Sequence, residues 1–525
     1  MVVRPLSRQP RARLLLGLAS VLLMAALPAG AQEPSCAPLE DHDDRCEAWA
    51  DVFEDFGPSG FGTNYQRPMI VAGTDTVYST GAYINPSTGI DPIVTVAYDA
   101  GSGARRWVGR YDGPEEGGEA YPWDSVLSPD GGTLYVAGSH TTAAPQRSTD
   151  AAVIAFDTGD GNIRWVASLG AEGSDAFRAV AVSPDGESVY AAGRLRGWPD
   201  ADLLVAELDG ATGAIRWTDT HAGSGGLDDE ALDAALSPDG ERLFVTGELD
   251  RRIDYQAQLE RGDIITLAYD TEERTRLWTS VHDGPMGLRD EPANLAVSPD
   301  GRQVFVAGRQ DADFYSGVYT EDIAVLAHDA ATGARTWARS FDGPASSADE
   351  AEAVAVSPDG ATVYVNGTMT VHEVVGPDRA MSLATSMVTL ALGSSDGETT
   401  WSSVLDGPGQ ISEYGRDLAV SPDGRRVYAT AISGPLWVAS GVGNATLTDA
   451  PLDAATVAYD AADGSQVWIG RYNGGPGGSA PTRSSGMTLN PDGSRVFVLT
   501  TVNTPVLNPT RERRTAAYGT IAYES

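Results

Sequence analysis

Lysine is absent from this sequence: arginine supplies all 36 basic residues, against 73 acidic ones, for a formal charge of −37. Binding to phosphate depends on cationic neutralisation, so this balance excludes nucleic acid and an anionic membrane surface as partners. It favours a soluble acidic exterior, suited to cationic partners or high salt. Cysteine is nearly missing as well. Cys36 and Cys46 are the two present, and in an exported chain they are expected to close a disulfide, with two free thiols or a reactive pair as the alternatives. Histidine is scarce, and there is no His-x-x-x-His, Cys-x-x-Cys, nucleophile elbow or phosphate-cradling glycine loop.

No apolar run reaches the roughly 20 residues that a membrane-crossing helix takes. The stretch from Leu14 to Leu27 falls short. With Arg4, Arg8, Arg11 and Arg13 before it and Ala29-Gly30-Ala31 after it, it reads as the core of a secretory signal peptide spanning 1–31. Cys36 lacks the small-residue context of a lipid-attachment site. The expectation is therefore a secreted or periplasmic protein without a membrane span, acting as a monomer. Beyond residue 31 the chain holds 32 basic and 73 acidic residues, a charge of −41. Residues 32–46 form an acidic N-terminal segment.

What the sequence does have is a repeat. Trp49, Trp107, Trp165, Trp217, Trp278, Trp337, Trp401 and Trp468 recur about 52 to 67 residues apart, a period that signals stacked supersecondary units. Each unit opens with a short apolar run such as Ala353-Val354-Ala355-Val356. A Ser-Pro-Asp-Gly-like corner follows, as at Ser128 to Gly131, Ser357 to Gly360 or Asn490 to Gly493. Proline presets φ, aspartate bonds nearby backbone and glycine accepts the reversal, so these are hairpin turns. A second strand such as Val363-Tyr364-Val365 comes next, then a third that ends at an aspartate eight residues before the tryptophan, as Asp99 before Trp107. The tryptophan opens a fourth strand.

The last unit has three strands and stops at Tyr523, while Trp49-Ala50-Asp51-Val52-Phe53 supplies an unattached fourth. Pairing residues near 47 to 56 with the C-terminal strands closes a ring of eight sheets and removes the exposed edges. The reading is an all-β, eight-bladed β-propeller of four-stranded antiparallel blades occupying 47–525 as one domain, with seven blades as the alternative count.

Ala97-Tyr98-Asp99-Ala100-Gly101-Ser102-Gly103 through Trp107, and Ala327-His328-Asp329-Ala330-Ala331-Thr332-Gly333 through Trp337, resemble the A-x-D-x-x-T-G-x-x-x-W docking motif of pyrroloquinoline-quinone-like propellers. That superfamily includes quinoprotein alcohol dehydrogenases and the propeller lipoprotein of the outer-membrane barrel-assembly machine. The resemblance implies that each indole wedges between neighbouring blades with its N–H against backbone. The fourth unit departs from the motif, reading Asp270-Thr271-Glu272-Glu273-Arg274, and is expected to pack less regularly.

Antiparallel blades place the uniform corners on one face and the variable connections on the other. Long links near 247–263, 308–322, 367–387, 431–453 and 500–517 mark the second face as the place for a ligand or partner. Asp175, Asp229, Asp290, Asp349 and Glu413 recur just before the first strands, and Glu230, Glu291 and Glu350 follow three of them directly. This crown reads as backbone caps, as oxygen ligands for calcium or as catalytic acids. A second set, Asp150, Asp202, Asp263, Asp322 and Asp453, is regular enough to be structural. Asn366-Gly367-Thr368 and Asn444-Ala445-Thr446 fit a glycosylation sequon.

In the quinoprotein members, the resemblance implies a cofactor on the axis, stacked between a tryptophan and a disulfide of adjacent cysteines above a calcium ion. This chain has no adjacent cysteines, and only Trp123, Trp198 and Trp437 lie off the docking positions. No cofactor is expected, pyrroloquinoline quinone included, and calcium is the one ion in view. The function expected is a non-catalytic scaffold presenting variable loops to a protein, peptide or glycan. The alternatives are a quinone-dependent dehydrogenase, a metal-dependent hydrolase or lyase using the crown, and a structural envelope component.

Overall fold

The computed structural model describes residues 31–32, 47–53, 69–82, 92–114, 118–142, 148–170, 173–197, 200–254, 259–315, 318–345, 347–375, 381–406, 411–435, 437–439, 453–473, 482–506 and 513–525. Cys36, Cys46, Trp198, Asn444 and most of the expected signal peptide lie outside them.

Alternation of apolar and small residues between tight turns produces strands throughout, and among the described residues there is no helix. The strands assemble into eight antiparallel sheets. Blade 1 comprises Met69–Ala72, Thr76–Ala82, Ile93–Asp99 and Arg105–Tyr111, and blades 2 to 7 repeat this plan in chain order. Blade 8 takes Thr482–Leu489, Arg495–Val506 and Arg513–Glu524 from the C-terminal end and Glu47–Phe53 from the other, with Trp49 opposite Ala522 and Phe53 opposite Tyr518. A two-residue strand, Ala31–Gln32, adds to its outer edge. First strands of successive blades touch one another, and that of blade 8 touches that of blade 1. The ring therefore closes at eight, and the count of seven falls.

The corners behave as turn chemistry requires. Ser128 Oγ donates to Asp130 Oδ1 at 2.6 Å and accepts the Thr133 N–H at 2.9 Å, while Gly131 takes φ +71°. The same bonds recur at Ser183, Ser237, Ser298, Ser357 and Ser421.

Apolar packing is concentrated between blades, where neighbouring sheets interleave Ala, Val and Tyr around a tryptophan. Trp401 Nε1 donates to Ala461 O of the next blade at 2.9 Å, and Trp49, Trp107, Trp165, Trp278 and Trp337 make the equivalent bond. Each of these six indoles lies under a glycine of the neighbouring corner, for instance Gly464 at φ +72°, where a Cβ would meet the Trp401 ring at 2.4 Å. No side chain fits there. Across its own sheet each tryptophan faces an alanine, as Trp401 faces Ala391, with one exception.

Trp217 faces Glu207 instead, and the next corner carries Arg274 at φ 56° where the other blades have glycine. The two departures compensate. Arg274 Nε bonds Glu207 Oε2 at 2.6 Å, and the carboxylate is buried. Trp217 makes no carbonyl bond across this junction, and it meets Tyr269 of the next blade edge-on at 70°, where Trp49 meets Tyr98 at 35° and Trp468 meets Tyr523 at 36°.

Candidate functional site

Seven of the eight first strands carry one extra residue against their partners, at Trp123, Arg178, Leu232, Ala293, Glu352, Arg416 and Ser485. A bulge re-aims its side chain, and several of these residues face the axis. Trp123, Arg178, Leu232, Ala293 and Glu352 line a central cavity of 390 Å³ together with Asp124, Asp233, Glu291, Glu350 and Arg309 among others. The Arg178 guanidinium lies 3.5 Å over the Trp123 ring and pairs with Glu230. Arg309 is matched by Glu291 at 2.5 Å and Glu321 at 3.1 Å, and Arg416 by Glu352 at 2.8 Å.

Asp124, Asp233 and Asp417 follow their bulges directly and stitch each blade to the next. They accept the N–H of Val180, Leu295 and Met487 at 2.8, 2.7 and 2.7 Å. Burial pushes Asp124 up to about 7 and Asp233 up to about 6, against backbone hydrogen bonds that pull the other way. Asn294 occupies the corresponding place in blade 5, bonding the Val354 N–H at 3.5 Å.

The crown acids separate into two kinds. Asp175, Asp229, Asp290 and Asp349 are buried and turn to backbone. Asp229 accepts from Gly223 N at 2.5 Å and Asp250 N at 2.6 Å, and Asp290 from Gly284 N and, at 2.7 Å, Asp311 N. Asp349 accepts from Gly343 N and Thr370 N, and Asp175 from Arg196 N. Asp229, Asp290 and Asp349 therefore pin the link from the previous blade to their own second strand, and Asp175 holds the end of its second strand. Desolvation raises Asp229 to about 6 and Asp290 and Asp349 to about 7. Glu413 is also buried, but bonds Ser433 Oγ and Arg471 at 3.0 Å. The glutamates that follow the crown aspartates carry the ionic contacts of the channel.

The five crown residues do not gather into one group. Among the described residues, carboxylates come within 4.8 Å of one another in threes at two blade junctions, Asp263 with Asp283 and Asp290, and Asp322 with Asp342 and Asp349. One member of each trio is a crown residue, one belongs to the second regular set, and one is the aspartate of the Asp-Gly-Pro link.

The variable face differs from the sequence expectation of loose links. In blades 4, 5, 6 and 8 the second and third strands run on past the sheet as paired arms, such as Arg242–Asp254 with Leu259–Asp270 and Thr362–Val375 with Met381–Gly393. Nine residues suffice for the same strands in blades 2 and 3. From the insertion in blade 7, Trp437–Ala439 crosses over to pair with Met381–Leu383 on the arm of blade 6. The sequon at Asn366 is a second correction. Its side chain is 0% exposed and donates to Asp417 O and Thr430 O, so it cannot take a glycan in the folded protein.

A family model described as outer membrane protein assembly factor BamB matches residues 71–287 and 150–375, together more than half of the chain. No curated protein matches the sequence. Among solved structures, a quinohemoprotein alcohol dehydrogenase from Comamonas testosteroni is 13% identical with a TM-score of 0.50, over 88% of this chain and 75% of that one. BamB from Moraxella catarrhalis is 12% identical with a TM-score of 0.42, over 88% and 97% respectively. At such identities the likeness is one of fold.

Proposed function

Because the chain belongs to the PQQ_2 family that carries the BamB description, we propose that it is an exported, non-catalytic scaffold whose arms receive a protein, peptide or glycan. The observation that carries this is the set of paired arms on a single face, since a rigid ring with projecting strands is built to present surface. The strand Trp437–Ala439, taken from one blade and laid on the arm of another, is that mode of contact used within the molecule. Residues 1–31 support export, and no helix among the described residues is long and apolar enough to cross a membrane.

The axial cavity is a poor fit to pyrroloquinoline quinone. That cofactor is a tricarboxylate, and the cavity lining has five carboxylates against two arginines, both already engaged by glutamates. We assign no step through a quinone. The crown aspartates act as backbone caps.

The test is to shorten the arms of blades 5 and 6 by replacing 312–320 and 373–383 each with Asn-Gly. The melting temperature should hold within a few degrees while partners cross-linked in the exported fraction are lost. Retention of the same partners would refute the reading, as would alcohol oxidation on adding the quinone and calcium.

A further inference from the structure

We propose that the axial cavity binds a linear polyamine, its ammonium groups held by Asp124, Asp233 and Glu350 and its methylenes lying against Leu232, Pro292 and Ala293. The volume of 390 Å³ falls in the range of small-molecule sites. Its charge sets the sign of the ligand. Arg178 and Arg309 are matched by Glu230 and Glu291, so Asp124 and Asp233 have no cationic partner among the described residues, and Glu350 has Arg309 only at 3.6 Å.

Spacing sets the shape. Among the described residues the close carboxylate trios lie at blade junctions and none in the channel, so the described channel acids do not converge as the oxygen ligands of one ion must, at about 2.4 Å from it. Carboxylates that share the wall with Leu232, Pro292 and Ala293 instead match a chain that alternates charge with methylene stems. The wall already holds one organic cation in this way, since the Arg178 guanidinium rests on Trp123 and bonds Glu230. Asp124 and Asp233, pushed upward by burial, must shed any proton they hold before a cation can pair with them, so binding should weaken as the pH falls below about 7.

Alkylammonium chemistry also belongs to a lysine side chain of a partner, and the experiment separates the two. Isothermal titration of the full exported chain in 150 mM salt would compare spermidine, Nα-acetyl-lysine amide and magnesium. Spermidine is expected to bind at a single site, at least tenfold tighter than the lysine derivative, and magnesium is expected not to displace it. Asp124→Asn/Asp233→Asn should weaken spermidine at least tenfold while keeping the melting temperature, because Asn294 fills the same position in blade 5. That double variant removes two charges from −41, too few to alter diffuse attraction to the acidic exterior. Equal affinity in the variant, equal affinity for the lysine derivative, or displacement by magnesium would each overturn the proposal.

Discussion

An indole under a glycine is the unit that joins one blade to the next. The glycine is needed twice over: its φ near +70° is costly for other residues, and a Cβ there would occupy the ring, as at Gly464 over Trp401. Trp401→Ala is expected to cost about 3 to 5 kcal/mol, read from chemical denaturation. Six of the eight junctions follow this rule, and blade 3 shows how one escapes it. Glu207 stands where the other sheets place alanine opposite the tryptophan, and Arg274 stands where they place glycine. Arg274→Gly should destabilise by roughly 2 to 4 kcal/mol, since it leaves the buried Glu207 carboxylate with only Ser188 Oγ at 3.0 Å and Arg216 at 3.5 Å, and Glu207→Ala should cost less, because Arg274 is exposed to water. The double variant restores the common pattern and is expected to regain most of that loss. Additive losses in this double-mutant cycle would show that the pair is not coupled.

At the scale of strands, the sequence disclosed the frame better than its ornaments. Turns and tryptophans are local signals, so the strands, the corners and the Glu47–Phe53 closing strand could all be read from Ser-Pro-Asp-Gly, Asp99 and Trp49. The bulges could not, because Arg178 and Glu352 sit in runs such as Ala176-Phe177-Arg178-Ala179-Val180 that look continuous, and register appears only against a partner strand. A charge inside an apolar run was the available signal. In the sequence the arms look like loops, because a ladder that outgrows its sheet leaves no turn residue at the old boundary. The crown was legible as a regular set of acids, yet its bonds to Gly223, Gly284 and Gly343 depend on links brought in from the previous blade. If those acids serve only as caps, millimolar calcium should leave the melting temperature unchanged. A rise that disappears in Asp283→Asn/Asp342→Asn would make the two trios calcium sites instead.

For the whole molecule, charge makes stability depend on pH in an unusual direction. Asp124, Glu248, Asp290 and Asp349 are raised to about 7, and Asp229, Asp233 and Asp263 to about 6, mainly by burial. Groups raised above their unfolded values favour the fold when protonated, and that contribution is lost as pH climbs through 6 to 7. His140, His221, His282 and His328 are lowered by burial, so they oppose the trend below about pH 6.5. The turn aspartates, among them Asp99 at about 2, withdraw their support in stronger acid. With seven carboxylates against four histidines, and self-repulsion easing as acids are protonated, the melting temperature should peak near pH 5, at about one unit above the unfolded carboxylate range. A maximum at pH 7 or above would contradict this balance.

The pairing of Trp49 with Ala522 also dictates an order of events. The strand made earliest on the ribosome must wait for almost the last, so seven sheets can mature while the eighth stays unfinished and its neighbours keep a raw flank. Such a delay exposes the nascent chain to misassembly and to holdase capture. Rewiring the gene so that residue 524 leads into residue 47 through a five-residue corner like the one between Asp329 and Arg335, with new ends opened in a corner between two other blades, turns the slowest encounter into a local hairpin. That permuted protein should refold faster than the natural arrangement and leave fewer aggregates.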